Sequence, residues 1–235
     1  MKLQIVKNKE ELAEKAYQII LDTITSKDEI TLGLATGSSP EGIYEMFRKN
    51  KPDVSHVTTI NLDEYIGLPP DHEQSYAYYM NEHLFKHLNF RATHLPNGLN
   101  LDREAECKRY DEVLKDHPLD LQLLGIGTNG HIAFNEPETS FELTTNVAVL
   151  TDETVEANSR YFATIDDVPT HAFSMGIKSI MQAKKILLIA NGVGKAQAIK
   201  EMIEGPVTHA LPASVLQTHL DVTVIIDEAA ASLLK

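Results

Sequence analysis

Apolar residues in this chain gather into short strand-like runs, separated by stretches in which they recur at helical spacing. Strand runs are predicted at Ile30–Leu34, Val57–Leu62, Leu119–Ile126, Thr145–Leu150, Ala172–Met175, Ile186–Ala190 and Val222–Ile226. The first helix is marked by Asn8 as N-cap and Glu11 three positions on, with Leu12, Ala16, Ile19 and Ile20 on one face. Further helical patterns fall near 40–49, 75–88, 102–116 and 195–204, and a short one follows the last strand. Strands alternating with helices imply an α/β fold, a mostly parallel sheet with helices on both faces. In such sheets ligands bind beyond the carboxyl ends of the strands.

Composition narrows the partners. The 235 residues carry 34 acidic against 21 Lys and Arg side chains, a net charge of −13, which repels nucleic acid and anionic membrane surfaces. Cys107, the single cysteine, has no partner for an internal disulfide and no metal-ligand spacing around it. No apolar stretch reaches the length of a membrane span or signal peptide, so a cytoplasmic, single-domain protein is expected.

Four predicted strand ends carry residues with chemistry. Leu34–Pro40 joins a strand to a helix through Thr36, Gly37, Ser38 and Ser39, with Ser39 expected to cap the helix and Pro40 in its first turn. That turn is either an anion site, whose amides and dipole face a phosphate, or an ordinary capped βα turn. Asn61–Leu68 places Asp63 beside Glu64. One of the two could be pushed into the range for proton transfer, or Asp63 could simply bond its own loop.

Gly125–Pro137 contains G-x-G-x-x-G, but no amphipathic helix opens at Gly130 and Pro137 comes seven residues later, so dinucleotide binding is excluded. A tight turn presenting His131 and Glu136 as an acid/base pair fits better. At Ala190–Lys195 glycines again lead into a helix. This is no P-loop, and Lys195 is either a phosphate ligand or a solvated lysine. His83 and His87 have ligand spacing but lack H-E-x-x-H and read as a polar helix face, and the Tyr76, Tyr78, Tyr79, Phe85 run reads as packing.

The segments LATGSSP (34–40), NLDEYIGL (61–68), GIGTNGHIAFNEP (125–137), ANSRYF (157–162) and the glycine–lysine turn at Lys195 together resemble the glucosamine-6-phosphate deaminases over essentially the whole chain. The order NLDEY then NGHIAFNEP is the most specific part. The resemblance implies a three-layer, Rossmann-like α/β/α domain spanning 1–235, with a small lid within about 151–175. It implies conversion of glucosamine 6-phosphate and water into fructose 6-phosphate and ammonia, in amino-sugar catabolism, with no metal and no cofactor.

By position, Asp63 would move the proton between C2 and C1. His131 would open the sugar ring, with Glu136 orienting it. Asn129 stands where some members carry an aspartate in the histidine relay. Thr36, Gly37, Ser38, Ser39, Arg160 and Lys195 would hold the phosphate. Because the chain stops at Lys235, short of the C-terminal segment of longer members, no activation by N-acetylglucosamine 6-phosphate is expected, and a monomer or weak homo-oligomer is. The alternatives are a 6-phosphogluconolactonase, which needs no base aimed at C2, and a sugar-phosphate-sensing domain, which needs no acid/base set.

Overall fold

The computed structural model describes residues 1–160 and 162–235. Seven parallel strands form the main sheet: β1 (Lys2–Val6), β2 (Ile30–Leu34), β3 (Val57–Asn61), β5 (Ala92–His94), β6 (Leu121–Leu124), β9 (Ile186–Ala190) and β10 (Val222–Asp227). Their order is β1-β10-β9-β6-β2-β3-β5. A second, antiparallel sheet is formed by β4 (Asp63–Tyr65), β8 (His171–Ser174) and β7 (Asn146–Val149), in that order.

Both faces of the main sheet are covered, and the alternation within single strands shows how. On β9, Ile186, Leu188 and Ala190 join one core with α4 (Arg103–Asp116), α6 (Ile177–Ile180) and α7 (Ala196–Glu204). Leu187 and Ile189 point the other way, into a core with α1 (Lys9–Ile24), α2 (Glu41–Asn50) and α3 (Tyr76–His83). A strand buried on both faces reads as an unbroken apolar run, which is why Ile186–Ala190 was legible to the residue.

The chain builds β2, β3 and β5 outward in one direction, then returns to lay β6 on the other side of β2. The β2/β6 boundary is therefore the switch point, where the loops leaving two neighbouring strands part and open a crevice.

The differences from expectation have local causes. β1 and β5 are edge strands; β1 leaves Leu3 and Ile5 exposed, and β5 has no apolar run at all. The predicted run Val57–Leu62 divides at Leu62: its amide still donates to Leu34 O (3.1 Å), but its carbonyl accepts from Met175 N (2.7 Å), and Asp63 pairs with Ser174 of β8. The 75–88 helix breaks at Leu84 (φ −143°) into a 3-10 turn, Phe85–His87. Ser39 does not cap α2: the N-cap is Pro40, with no side-chain hydrogen bond. The segment after β10 forms turns and no helix.

Candidate active site

A cavity of about 690 Å³ opens at the carboxyl ends of β2, β3, β6 and β9, as the switch-point rule requires. Of the sequence-predicted site residues, nine line it: Thr36, Gly37, Ser38, Ser39, Asp63, Asn129, His131, Arg160 and Lys195. Glu136 sits behind His131. The ANSRYF segment contributes Arg160 and Phe162, while Tyr161 lies outside the described residues.

One end is built for an anion. Gly37 adopts φ +91°, and among the described residues no backbone carbonyl accepts from the amides of Gly37, Ser38 or Ser39. The loop is held from behind, by Tyr44 Oη donating to Ala35 O (2.5 Å) and Tyr79 Oη donating to Gly37 O (2.7 Å). Open amides in a loop of fixed shape form an anion-binding concavity.

Lys195 reaches the same space from a 3-10 turn that leads into α7. The turn is pinned where Gly192 (φ +87°) donates its amide to both oxygens of Asp227, each at 3.0 Å. Burial, and then the nearby positive charge of Arg160, pull Lys195 below the usual lysine range. No carboxylate among the described residues lies within ion-pair distance of it. An anion entering here would meet two positive charges on a partly desolvated wall.

Asp63 and Glu64 divide their labour. Glu64 Oε1 accepts from the amides of Tyr65 and Tyr76 (both 2.9 Å), and Oε2 accepts from Ala77 (2.8 Å), so this carboxylate closes the amino end of α3. Burial pushes it up to about 7, against the pull of those three amides. Asp63 faces the cavity, 7% exposed, and accepts no hydrogen bond among the described residues. Burial, reinforced by the Glu64 charge, raises it to about 8.

The Gly125–Pro137 loop carries the other acid/base group. His131 packs its ring over Gly127, where an added Cβ would lie 2.4 Å from Cε1, so only glycine leaves room for it. Its Nδ1 stands 3.3 Å from Glu136 Oε2, at ion-pair distance but without hydrogen-bond alignment. Asn129 ties the loop together: its Nδ2 donates to Glu136 Oε2 (2.8 Å) and its Oδ1 accepts from the His131 amide (3.2 Å). Glu136 Oε1 accepts from Thr154 Oγ1 at 2.5 Å. Burial alone would raise Glu136; the contact with His131 and the bonds from Thr154 and Asn129 outweigh it and hold the carboxyl at about 2.

Several residues were missed from sequence. Thr154 belongs to α5 (Asp152–Ser159), and the spacing Thr151–x–x–Thr154 at a helix start was its available signal. Tyr65, Tyr76 and Phe134 form an aromatic wall, Tyr76 stacking on Phe134 at 6.1 Å. His83 lines the cavity mouth and stacks on Tyr79 at 4.3 Å, while His87 Nε2 meets Glu82 O at 2.9 Å, so the two histidines do not converge.

These groups can grip a dianion at one end of a small polyol and move protons at two places along it. They define the class as a protein with an acid/base set facing an anion-binding loop on a parallel α/β sheet. Comparison with known proteins refines this. The sequence profile of the glucosamine-6-phosphate isomerases/6-phosphogluconolactonase family matches residues 7–225.

A glucosamine-6-phosphate deaminase of Bacillus thuringiensis (strain Al Hakam) is 55% identical over 233 residues, 99% of this chain and 89% of the relative. One of Bacillus cereus (strain AH820) matches equally. A solved structure described as a monomeric glucosamine-6-phosphate deaminase of the NagB superfamily superposes with a TM-score of 0.96 at 45% identity, covering 99% of this chain and 100% of that one. A 6-phosphogluconolactonase of Trypanosoma brucei shares the fold, with a TM-score of 0.82 at 16% identity over 100% of this chain and 98% of that one. The chain belongs to the glucosamine-6-phosphate isomerase/6-phosphogluconolactonase family.

Proposed function

We propose that this protein deaminates glucosamine 6-phosphate, yielding fructose 6-phosphate and ammonia in amino-sugar catabolism. The observation that carries the reading is Asp63, an unpaired carboxylate raised to about 8 and facing the same cavity as the His131–Glu136 pair and the anion-binding end. Opening a lactone calls for an activated water and no carboxylate aimed at a carbon acid, so Asp63 favours the deaminase over the lactonase.

The phosphate docks on the amides of Gly37, Ser38 and Ser39 and the Thr36 hydroxyl. Arg160 and Lys195 then meet it with charge. With Glu136 against Nδ1, the imidazole of His131 passes a proton to the ring oxygen as the anomeric hydroxyl gives one up, and the sugar opens. Asp63 then takes the C2 proton, giving an enediol-type aminoenol, and returns a proton to C1. The product is a ketimine at C2. Water adds there, and the carbinolamine collapses to the ketone with loss of ammonia. A base near neutrality can both remove and return the proton, as this shift demands.

Arg160 follows directly on α5, and we assign residues 151–175 as a lid that closes when the phosphate is gripped. We place the reaction in the cytoplasm, where phosphorylated sugars are held, with the protein working as a monomer or weak homo-oligomer, as the monomeric relative suggests. The test is release of ammonia and fructose 6-phosphate from glucosamine 6-phosphate. Equal yields of both, lost in Asp63→Asn, support the reading. Turnover of 6-phosphogluconolactone without ammonia moves it to the lactonase, and binding without turnover of either moves it to a sensor.

A further inference from the structure

The groups that grip phosphate and the groups that open the ring meet in one helix. Thr151 Oγ1 accepts from the Thr154 amide at 3.2 Å and so caps α5, and it lies 3.1 Å from Thr154 Oγ1 and 3.5 Å from Glu136 Oε1. Thr154 is buried and donates its hydroxyl to the same Glu136 oxygen. Arg160 lies six residues further on, about 9 Å along a helical path, and lines the cavity beside Lys195. One end of α5 thus holds the carboxylate beside His131, and the other leads into Arg160, which lines the cavity with the Gly37–Ser39 loop.

We propose that Thr154 is a positioning residue through which phosphate binding at Arg160 sets Glu136, and with it His131, for ring opening. The inference rests on the deaminase reading and adds a coupling to it. Glu136 has two oxygens and two distinct supports. Asn129 fixes Oε2 from the same loop as His131, so that support is present whatever α5 does. Thr154 fixes Oε1 from α5, so this one depends on where α5 sits.

His131 is the titratable group facing Glu136 among the described residues; Asn129, Thr151 and Thr154 are uncharged. When α5 shifts away, Glu136 loses its strongest neutral donor, and His131 Nδ1, already poorly aligned at 3.3 Å, loses a fixed partner. With α5 in place, the amide at Asn129 suffices as the second support, because the Thr154 hydroxyl supplies the remaining hydrogen bond.

The test compares Thr154→Val, which keeps the shape and removes the donor, with Thr154→Ser, which restores it. Thr154→Val is expected to lower kcat roughly tenfold or more, a fraction of what a general acid–base contributes. KM should change less than about threefold, because the phosphate ligands are intact. The acid limb of the kcat profile should move to higher pH in the valine variant, since Glu136 has lost a donor that held its carboxyl down. Serine should recover most of kcat and the limb.

A folded valine variant with full kcat overturns the proposal, as does a loss confined to KM or one that serine does not restore. If valine fails to fold by circular dichroism, Thr154→Ala, which adds no bulk, takes its place under the same criteria. Wild-type protein that releases no ammonia would instead sink the deaminase reading, and that outcome is visible before any variant is made.

Discussion

Asp63 and Glu136 are two buried carboxylates of one site, and their surroundings drive them in opposite directions. Asp63 sits at the first position of a three-residue strand, accepts no hydrogen bond among the described residues, and has the charge of Glu64 beside it; it rises to about 8. Glu136 is similarly hidden, but three neighbours donate to it or face it with positive character, and it falls to about 2. Burial raises both, so the neighbours decide: the Glu64 charge adds to the rise of Asp63, while His131 and the hydrogen bonds from Thr154 and Asn129 pull Glu136 down. The pair shows how one cavity raises one buried carboxyl into the neutral range and keeps another ionised beside a histidine.

The largest way to break this comparison is Asp63→Asn. Activity should fall about 10²–10⁴-fold, read as ammonia release. Stability should move the other way. A carboxyl raised from its unfolded value to about 8 binds its proton more tightly in the fold, so it supports the fold below about pH 4 and loses that support as pH climbs through 8. The asparagine variant should therefore be more stable than wild type at pH 9 by on the order of a few kcal/mol, and melt higher. An unchanged melting temperature at pH 9 would show that Asp63 is not desolvated.

Glu136→Gln attacks the opposite member. The amide keeps the shape but loses the charge facing His131, so kcat should fall by about tenfold to a hundredfold, less than for Asp63. Glu136 is depressed, so its contribution to stability is present above its unfolded value and vanishes as pH falls through 2. Wild type should lose stability between about pH 4.5 and 2, and the glutamine variant should lose less over that range. Acid melting curves that run parallel would contradict the value of about 2.

Lys195→Met leaves both carboxylates alone and tests the cation wall. KM should rise roughly tenfold to a hundredfold for loss of a charged hydrogen bond to phosphate. Thermal stability should stay level or rise, because a desolvated lysine facing Arg160 is removed. A fall in kcat at unchanged KM would instead put Lys195 in the chemistry.

Glu64→Gln is the smallest perturbation. It removes the secondary cause of the Asp63 shift, so the limb of kcat/KM expected near pH 8 should move down by less than about one unit. A limb that stays put would leave burial as the whole cause.

How much was legible follows the same logic of neighbours. Ile30–Leu34 and Ile186–Ala190 stood out because both faces of those strands are buried. The loops at their ends carried Gly37, Ser38 and Lys195, whose chemistry does not depend on distant contacts. β4 was invisible, since Asp63–Tyr65 is polar and short and is a strand only because Ala172–Ser174 pairs with it. Ser39 looked like a cap, but the N-cap of α2 falls one residue later, at Pro40, and Ser38 and Ser39 line the cavity. From sequence either Asp63 or Glu64 could be the carboxyl pushed toward neutrality; three amides on and beside α3 claim Glu64. Thr154 offered only a Thr-x-x-Thr helix start. Its importance lies in an oxygen eighteen positions earlier, and no local pattern encodes that contact.

The strand order carries one more consequence, for the chain as it leaves the ribosome. β1 lies beside β10, so Lys2–Val6 pair residue by residue with Thr223–Asp227. β1 therefore waits for β10, and its edge stays open until Thr223–Asp227 have emerged. The phosphate loop and Asp63 exist early, but their neighbours on β6 and β9 do not. During that interval the exposed, apolar side of the early strands is the segment for which a chaperone would compete.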